Sequence, residues 1–294
     1  MNSFTIKDLE NLSGIKAHTI RIWEQRYKFL KPCRTCTNIR YYSNDELQKI
    51  LSIALLNKYG YKISHIDKMC ETEIKEKMLS LSPLEAKQQK IVNDLIVSMV
   101  NLDSQNVEKI IDAYIATEGI ERTITQIIFP LLDRTGIIWL TNHIDPLQEK
   151  LLSNVVRQKL MVALEEMPAT SKATKTIVLF TPEGTHRDLG ILYMNYILRK
   201  RGVNTIYLGA NVPLDHVTRI AAAKKTDYIY CHLASFCRNF NLDVFIAAAT
   251  KNIKTVPFVV SGRLINTYEG KLAKNFSLIE TFPAVIESLT SPVK

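Results

Sequence analysis

Near residue 175 of this 294-residue chain the hydrophobic pattern changes period, and that change demands two architectures in one polypeptide. Before it, apolar residues recur every three to four positions, the spacing of helices that bury one stripe. After it, the short runs Thr176-Ile177-Val178-Leu179-Phe180, Thr205-Ile206-Tyr207-Leu208, Tyr228-Ile229-Tyr230-Cys231 and Pro257-Phe258-Val259-Val260 alternate with helical stretches, and Ser277-Leu278-Ile279-Glu280 offers a fifth. Near-continuous apolar runs spaced by helices predict a parallel sheet covered on both faces, with ligands taken outside the carboxyl ends of the strands. Residues 176–294 are therefore expected to form a flavodoxin-like, Rossmann-type α/β domain. The polar stretch 169–175 reads as the linker before it.

The helical part carries clear start signals. Ser82-Pro83-Leu84-Glu85 offers an N-cap, a proline at the first helical position and a capping-box glutamate, followed by Leu84, Ile91, Leu95 and Met99 on one apolar face. Asp145-Pro146-Leu147-Gln148 repeats the device before Leu151, Leu152, Val155, Val156 and Leu160. Apolar-periodic runs from Val107 to Ile115 and from Ile120 to Trp139 lie between them. Short connections between these helices predict a four-helix bundle over 80–168, closed by Pro168.

Residues 1–75 read differently. Ile6, Leu9 and Leu12 share a helical face, Ser13-Gly14 breaks that helix, and Ile20, Trp23 and Tyr27 repeat on the next, which is a helix-turn-helix pattern. The second helix must stop before Pro32. The polar, basic and aromatic stretch from Cys33 to Tyr42 then leads to Ser43-Asn44-Asp45-Glu46, a capping box for a third helix, so the intervening stretch is expected to be a wing. A recognition helix beginning at Lys16, His18, Thr19 and Arg21 would present donors to a major groove. Arg34 and Arg40 in the wing, with Tyr41 and Tyr42, could grip phosphates or a groove edge. Arg26 and Tyr27 complete the candidate set, with core packing preferred for Trp23 and Tyr27.

Charge supports a polyanionic partner. Of the formal net charge of +9, Met1 to Cys70 carries twelve basic against six acidic residues. Neutralising phosphates and releasing their counterions supplies most non-specific DNA affinity, so duplex DNA is the expected partner. Charge breaks every long apolar stretch, and no basic segment followed by an apolar run opens the chain, so neither membrane insertion nor secretion is expected. The five cysteines then read as reduced thiols; Cys33 and Cys36 form a C-x-x-C, but Cys70, Cys231 and Cys237 supply no second close pair for zinc. No G-x-G-x-x-G, phosphate-binding loop or close nucleophile and base pair points to an enzyme.

The combination of Thr19, Arg21, Trp23 and Glu24 with Arg40, Tyr42, Ser43 and Glu46 resembles the MerR family's DNA-binding domain, in which T-x-R-x-W/Y-E precedes a wing ending R-x-Y and a new helix. The resemblance implies a homodimer, or a higher homo-oligomer, on a pseudo-palindromic site, acting as repressor or activator from the cytoplasm. The remainder resembles the cobalamin-binding module of light- or cobalamin-responsive members of that family. There a tryptophan caps the corrin face and Glu-His follows ten positions on; here Trp139 and Glu149 match, and Lys150 stands for the histidine. The family's E-x-H-x-x-G loop follows the first strand, its histidine ligating cobalt. Anchored on Gly190, the acidic position is Thr185 and the histidine position is Arg187, a side chain with no lone pair to offer. His186 could take the role only by a slip that puts Gly184 and Leu189 at the motif's supporting positions. Ser235 and Ser261-Gly262 stand where the family lines the nucleotide-tail groove.

These departures imply a degenerate sensory or assembly module without a cofactor or metal ligand. Cobalamin held through Trp139 and the groove is the alternative, and a corrinoid carrier or enzyme subunit, or a protein adaptor, are readings of another class. Arg187 and Lys150 could instead clamp an anionic metabolite, or pair with acids such as Glu183 or Asp188.

Overall fold

Thr5 starts the first helix by a reciprocal exchange with Asp8: the Asp8 carboxylate accepts from the Thr5 backbone N–H at 2.7 Å, and Thr5 Oγ1 accepts from the Asp8 N–H at 3.3 Å. The computed structural model describes residues 4–27, 29–81, 83–139, 146–168, 175–234 and 240–291. Two compact units divide the chain, Met1–Val156 and Arg157–Lys294. In the first unit, α1 (Ile6–Ser13) and α2 (Ala17–Arg26) form the expected helix-turn-helix, and β1 (Cys33–Arg34) pairs antiparallel with β2 (Arg40–Tyr41) as the wing. Phe4 and Tyr42 exchange backbone hydrogen bonds of 2.9 and 2.8 Å, which ties the start of the chain to the end of the wing. Ser43 and Glu46 cap α3 (Asn44–Lys58) as the sequence predicts, and the same Glu46 accepts from the Lys31 N–H at 2.5 Å. The short helices α4 (Ile63–Ile66) and α5 (Glu71–Leu79) follow. Phe4, Leu9, Leu12, Ile20, Tyr42 and Leu47, all 0% exposed, form the centre of this core.

Four helical stretches continue the same unit: α6 (Leu84–Val100), α7 (Ser104–Arg122), α8 (Phe129–Trp139), reached through a π-helical turn at Thr123–Ile128, and α9 (Pro146–Glu165), which runs on into the second unit. Gly119, at φ 79° and ψ 161°, breaks helical geometry inside α7, where the two apolar runs expected from the sequence meet. The start of α6 differs from the expectation. Pro83 is the N-cap and accepts no side-chain bond, Ser82 lies outside the described residues, and Leu84 is 56% exposed because the buried stripe begins at Ala86. Asp145 also lies outside the described residues, while α9 does begin at Pro146. Buried amides knit these helices together: Asn93 Nδ2 donates to the Leu51 carbonyl at 3.3 Å, Arg134 Nη1 to Asn93 Oδ1 at 3.0 Å, and Gln148 Nε2 to the Val100 carbonyl at 2.8 Å. Burial disfavours the charged form of Arg134 and lowers its pKa.

The second unit, Arg157–Lys294, carries a parallel sheet with helices of the expected α/β class. β3 (Thr176–Pro182), α10 (Leu189–Lys200), β4 (Asn204–Val212), α11 (Leu214–Ala223), β5 (Tyr228–His232), α12 (Leu242–Asn252), β6 (Phe258–Ser261), β7 (Phe276–Ile279) and α13 (Phe282–Thr290) follow in order, alternating except that a 3-10 turn at Arg263–Thr267 lies between β6 and β7. All five strands are parallel, in the order β4-β3-β5-β6-β7, so the topology reverses between β3 and β5. Strand alternation sorts the core into two layers. Val178, Phe180, Ile229, Cys231, Phe258 and Val260 pack under α11 and α12, and Tyr230, His232 and Ser261 point to the face covered by α10 and α13. Residues 169–174 of the expected linker lie outside the described residues. Lys175 is 9% exposed and belongs to the domain: its ammonium donates to the carbonyls of Leu289, at 3.2 Å, and Ser291, at the end of α13.

Candidate functional site

Amphipathic helix α2 divides its side chains between core and solvent. Ile20 and Trp23 are buried, Thr19 is half-buried, and Lys16, His18, Arg21, Ile22, Gln25 and Arg26 are exposed. Glu10 sets the entry of this helix, accepting from the Ala17 N–H at 3.3 Å and pairing with Lys16 Nζ at 3.3 Å. Thr19 Oγ1 lies 3.3 Å from His18 Nε2. On the wing, Arg34 donates to Asn38 Oδ1 across the hairpin turn at 2.6 Å and is exposed, as is Tyr41. Tyr27 stacks on Phe29 with centroids 5.8 Å apart and packs against the cluster around Trp23, so core packing describes it.

Of the wing residues read as able to grip DNA, Tyr42 is instead buried in the core, and Arg40 is half-buried beside an acid of α2. Arg40 Nε donates to Glu24 Oε2 at 3.0 Å and the Tyr42 hydroxyl donates to Glu24 Oε1, so α2 and the wing are joined through one carboxylate. Tyr42 is 0% exposed because its backbone pairs with Phe4, which draws the ring into the core. Burial and the Glu24 carboxylate together hold the Tyr42 hydroxyl well above the usual tyrosine range. Arg40 keeps 29% of its side chain exposed, enough for a second role beside the ion pair. The joining role of Glu24, and the exposed Ile22 and Gln25 beside Arg21, were not read from the sequence.

In the α/β domain the carboxyl ends of β3, β5 and β6 converge. The loop after β3 places Thr185 inward, its hydroxyl on the Pro182 carbonyl, and leaves His186 and Arg187 exposed. Asp188 stands at the N-cap position of α10 but gives its carboxylate to Arg157, which it holds bidentately, with Nη2 to Oδ1 at 2.6 Å. That hydrogen-bonded pairing raises the Arg157 pKa, whereas burial ahead of the Asp188 charge pushes the Tyr207 hydroxyl up to about 12. Gly190, in the first turn of α10, faces His232: a Cβ at Gly190 would lie 2.3 Å from His232 Cδ2. His232 Nδ1 is 2.8 Å from Ser261 Oγ, which is 2.6 Å from the Tyr230 hydroxyl. Gly262 turns the chain at φ 101°, with its own Cβ position 2.2 Å from the Leu233 carbonyl oxygen. Burial lowers the His232 pKa to about 4, so the ring is neutral at neutral pH. Glu149 is half-buried and Lys150 exposed on α9. Ser235, Cys237 and the Trp139 side chain lie outside the described residues.

A family model described as "MerR HTH family regulatory protein" matches residues 4–73, from Phe4 of the strand bridge through the wing and α3 to α5. These residues are a MerR-type helix-turn-helix domain. The chain is homologous to two regulators of Myxococcus xanthus. It is 28% identical to the HTH-type transcriptional repressor CarA over 214 residues, 71% of this chain and 68% of that one. It is 24% identical to the HTH-type transcriptional repressor CarH over 233 residues, 77% of each. Among solved structures, a monomethylamine corrinoid protein of Methanosarcina barkeri superposes with a TM-score of 0.54 at 15% identity, covering 69% of this chain and 98% of that one. That likeness shows a shared fold, a parallel sheet with helices of the corrinoid-protein type.

In the MerR-type domain, Arg21 of the T-x-R-x-W-E pattern lies on the exposed face and Trp23 in the core, while Glu24, Arg40 and Tyr42 form the joint between helix and wing. Cys33 and Cys36 of the wing are exposed free thiols. Among the described residues no group of three or more His, Cys, Asp or Glu side chains is placed to hold a metal ion. No described helix is long and apolar enough to cross a membrane.

Proposed function

We propose that the chain is a cytoplasmic, homodimeric transcription repressor whose MerR-type domain reads a pseudo-palindromic duplex and whose α/β module serves assembly without a histidine-ligated cobalt. DNA binding and transcription regulation follow from the MerR-type domain and from homology along most of the chain to two proteins named as transcriptional repressors. The observation that carries the docking geometry is the exposed edge of α2, with Lys16, His18, Arg21 and Arg26 flanking Ile22. Arg21 suits a guanine edge and Ile22 a thymine methyl, while Arg34 and Tyr41 on the wing suit the phosphates beside the groove. A two-fold dimer would set the half-site spacing.

The residues at the carboxyl ends of the strands do not fit cobalt held from below by a histidine at the ligand position of the β3–α10 loop, and His186 beside it has Gly184 and Leu189 at the supporting positions. The ligand position holds Arg187, whose guanidinium has no lone pair to offer a metal, and Thr185, at the acidic position, spends its hydroxyl on the loop's own backbone. Asp188 is committed to Arg157. Specific retardation of operator duplex is the test. Arg21→Ala should weaken binding to the specific site by about 1–3 kcal/mol while leaving random duplex little changed. Unchanged binding by Arg21→Ala and by Arg34→Ala together would refute the docking geometry.

A further inference from the structure

A sheet with this strand order takes its ligand in the crevice outside the carboxyl ends of the strands, where the topology reverses. In this chain β3 and β5 flank that point, β3 leading to Gly190 through the following loop and β5 ending at His232. Gly190 has no side chain, and the space it leaves is already taken: a Cβ there would come within 2.3 Å of His232 Cδ2 and 2.5 Å of Nε2. The imidazole is held from three sides. Ser261 Oγ meets its Nδ1 at 2.8 Å, the Tyr230 hydroxyl steadies that serine at 2.6 Å, and Phe282 stacks on the ring with centroids 4.8 Å apart. Tyr193 in turn stands edge-on to Phe282 at 5.5 Å. His232, Tyr230 and Ser261 are 8%, 0% and 1% exposed, so the arrangement is packed core and not an open slot.

We propose that His232 is a built-in occupant of the module's ligand groove, its imidazole filling the volume beneath Gly190 that the planar heteroaromatic tail of a corrinoid would need. This deepens, and rests on, the cofactor-independent reading above. The chain supplies one aromatic nitrogen ring of its own in place of a bound one, with Ser261 as the hydrogen-bond partner such a ring requires. The module then folds closed without a ligand, and its surfaces for assembly are set at synthesis instead of by cofactor loading.

The test is a double-substitution cycle on the full chain, read by thermal unfolding. Gly190→Ala should lower the melting temperature of the unsubstituted protein, because the methyl group collides with the ring. In a His232→Ala background the same substitution should cost nothing or raise the melting temperature, since alanine favours a helix over glycine and the ring is gone. An equal loss in both backgrounds would overturn the proposal. Should Gly190→Ala alone fail to fold while the double variant folds, the expected coupling is present in its strongest form. Benzimidazole added at millimolar concentration should raise the melting temperature of His232→Ala and not of the unsubstituted chain; no difference between the two overturns the volume argument. Hydroxocobalamin mixed with the unsubstituted chain should leave no corrin absorbance with the protein after gel filtration, and a co-eluting band overturns the proposal. Operator retardation by the same preparation separates the readings: a corrin band with intact DNA binding sinks the filled groove and cofactor independence but leaves the DNA-binding regulator, and no DNA binding without a corrin band sinks only the regulator.

Discussion

Arg21 and Glu24 lie three residues apart on α2, yet one faces solvent and the other secures the wing. Glu24, with a side chain 8% exposed, is the acceptor for both Arg40 and the Tyr42 hydroxyl. Glu24→Ala leaves those two donors without their acceptor, which should cost about 2–4 kcal/mol of stability, measurable as a lower denaturant midpoint. Glu24→Gln keeps a neutral acceptor and should lose less. His232 makes a prediction in pH. Its folded pKa, about 4, lies below its ordinary value of 6.5, so the unfolded chain binds the proton more readily between those limits. Stability from the buried neutral ring is full above about pH 7 and is lost as pH falls toward 4, by about 3 kcal/mol in all. Melting temperatures from pH 7.5 to pH 4.5 should therefore fall more steeply for the unsubstituted chain than for His232→Ala, and parallel slopes would show that burial does not hold the ring neutral.

Elements defined by local chemistry were legible in the sequence, and those defined by distant contacts were not. Four letters, Ser43-Asn44-Asp45-Glu46, announce the start of α3, and the structure forms that capping box. Ser43→Ala should cost about 1 kcal/mol, read as a shift in thermal midpoint, because one orphan N–H of the first turn loses its acceptor. At Ser82-Pro83-Leu84-Glu85 the same signal located a helix but misassigned its first turn, since periodicity cannot say where along a helix its packing partner begins. The five strands were legible because both faces of a parallel sheet are buried, which makes each strand apolar throughout. The pairing of Arg40 and Tyr42 with Glu24 spans 16 and 18 residues, and that of His232 with Ser261 spans 29; neither separation leaves a mark in local pattern. Tyr228, Tyr230 and His232 alternate with Ile229 and Cys231 along β5, a polar-aromatic face opposite an aliphatic one.

For the whole molecule, electrostatics and topology make separate claims. Exposed cations on α2 and the wing should give duplex binding a steep salt dependence, and Arg34→Ala, if it meets a phosphate, should reduce the slope of log affinity against log salt by about one. An unchanged slope would remove the wing from the docking surface. In the second unit, Lys175 opens the first strand and finds its acceptors at the end of the last helix, 114 and 116 residues later. A ribosome adding roughly 5–20 residues per second needs roughly 6–23 seconds to make that stretch. Until then the ammonium must stay in water, so the amino end of the sheet cannot seal as it emerges, and the domain closes only when its final helix has been made.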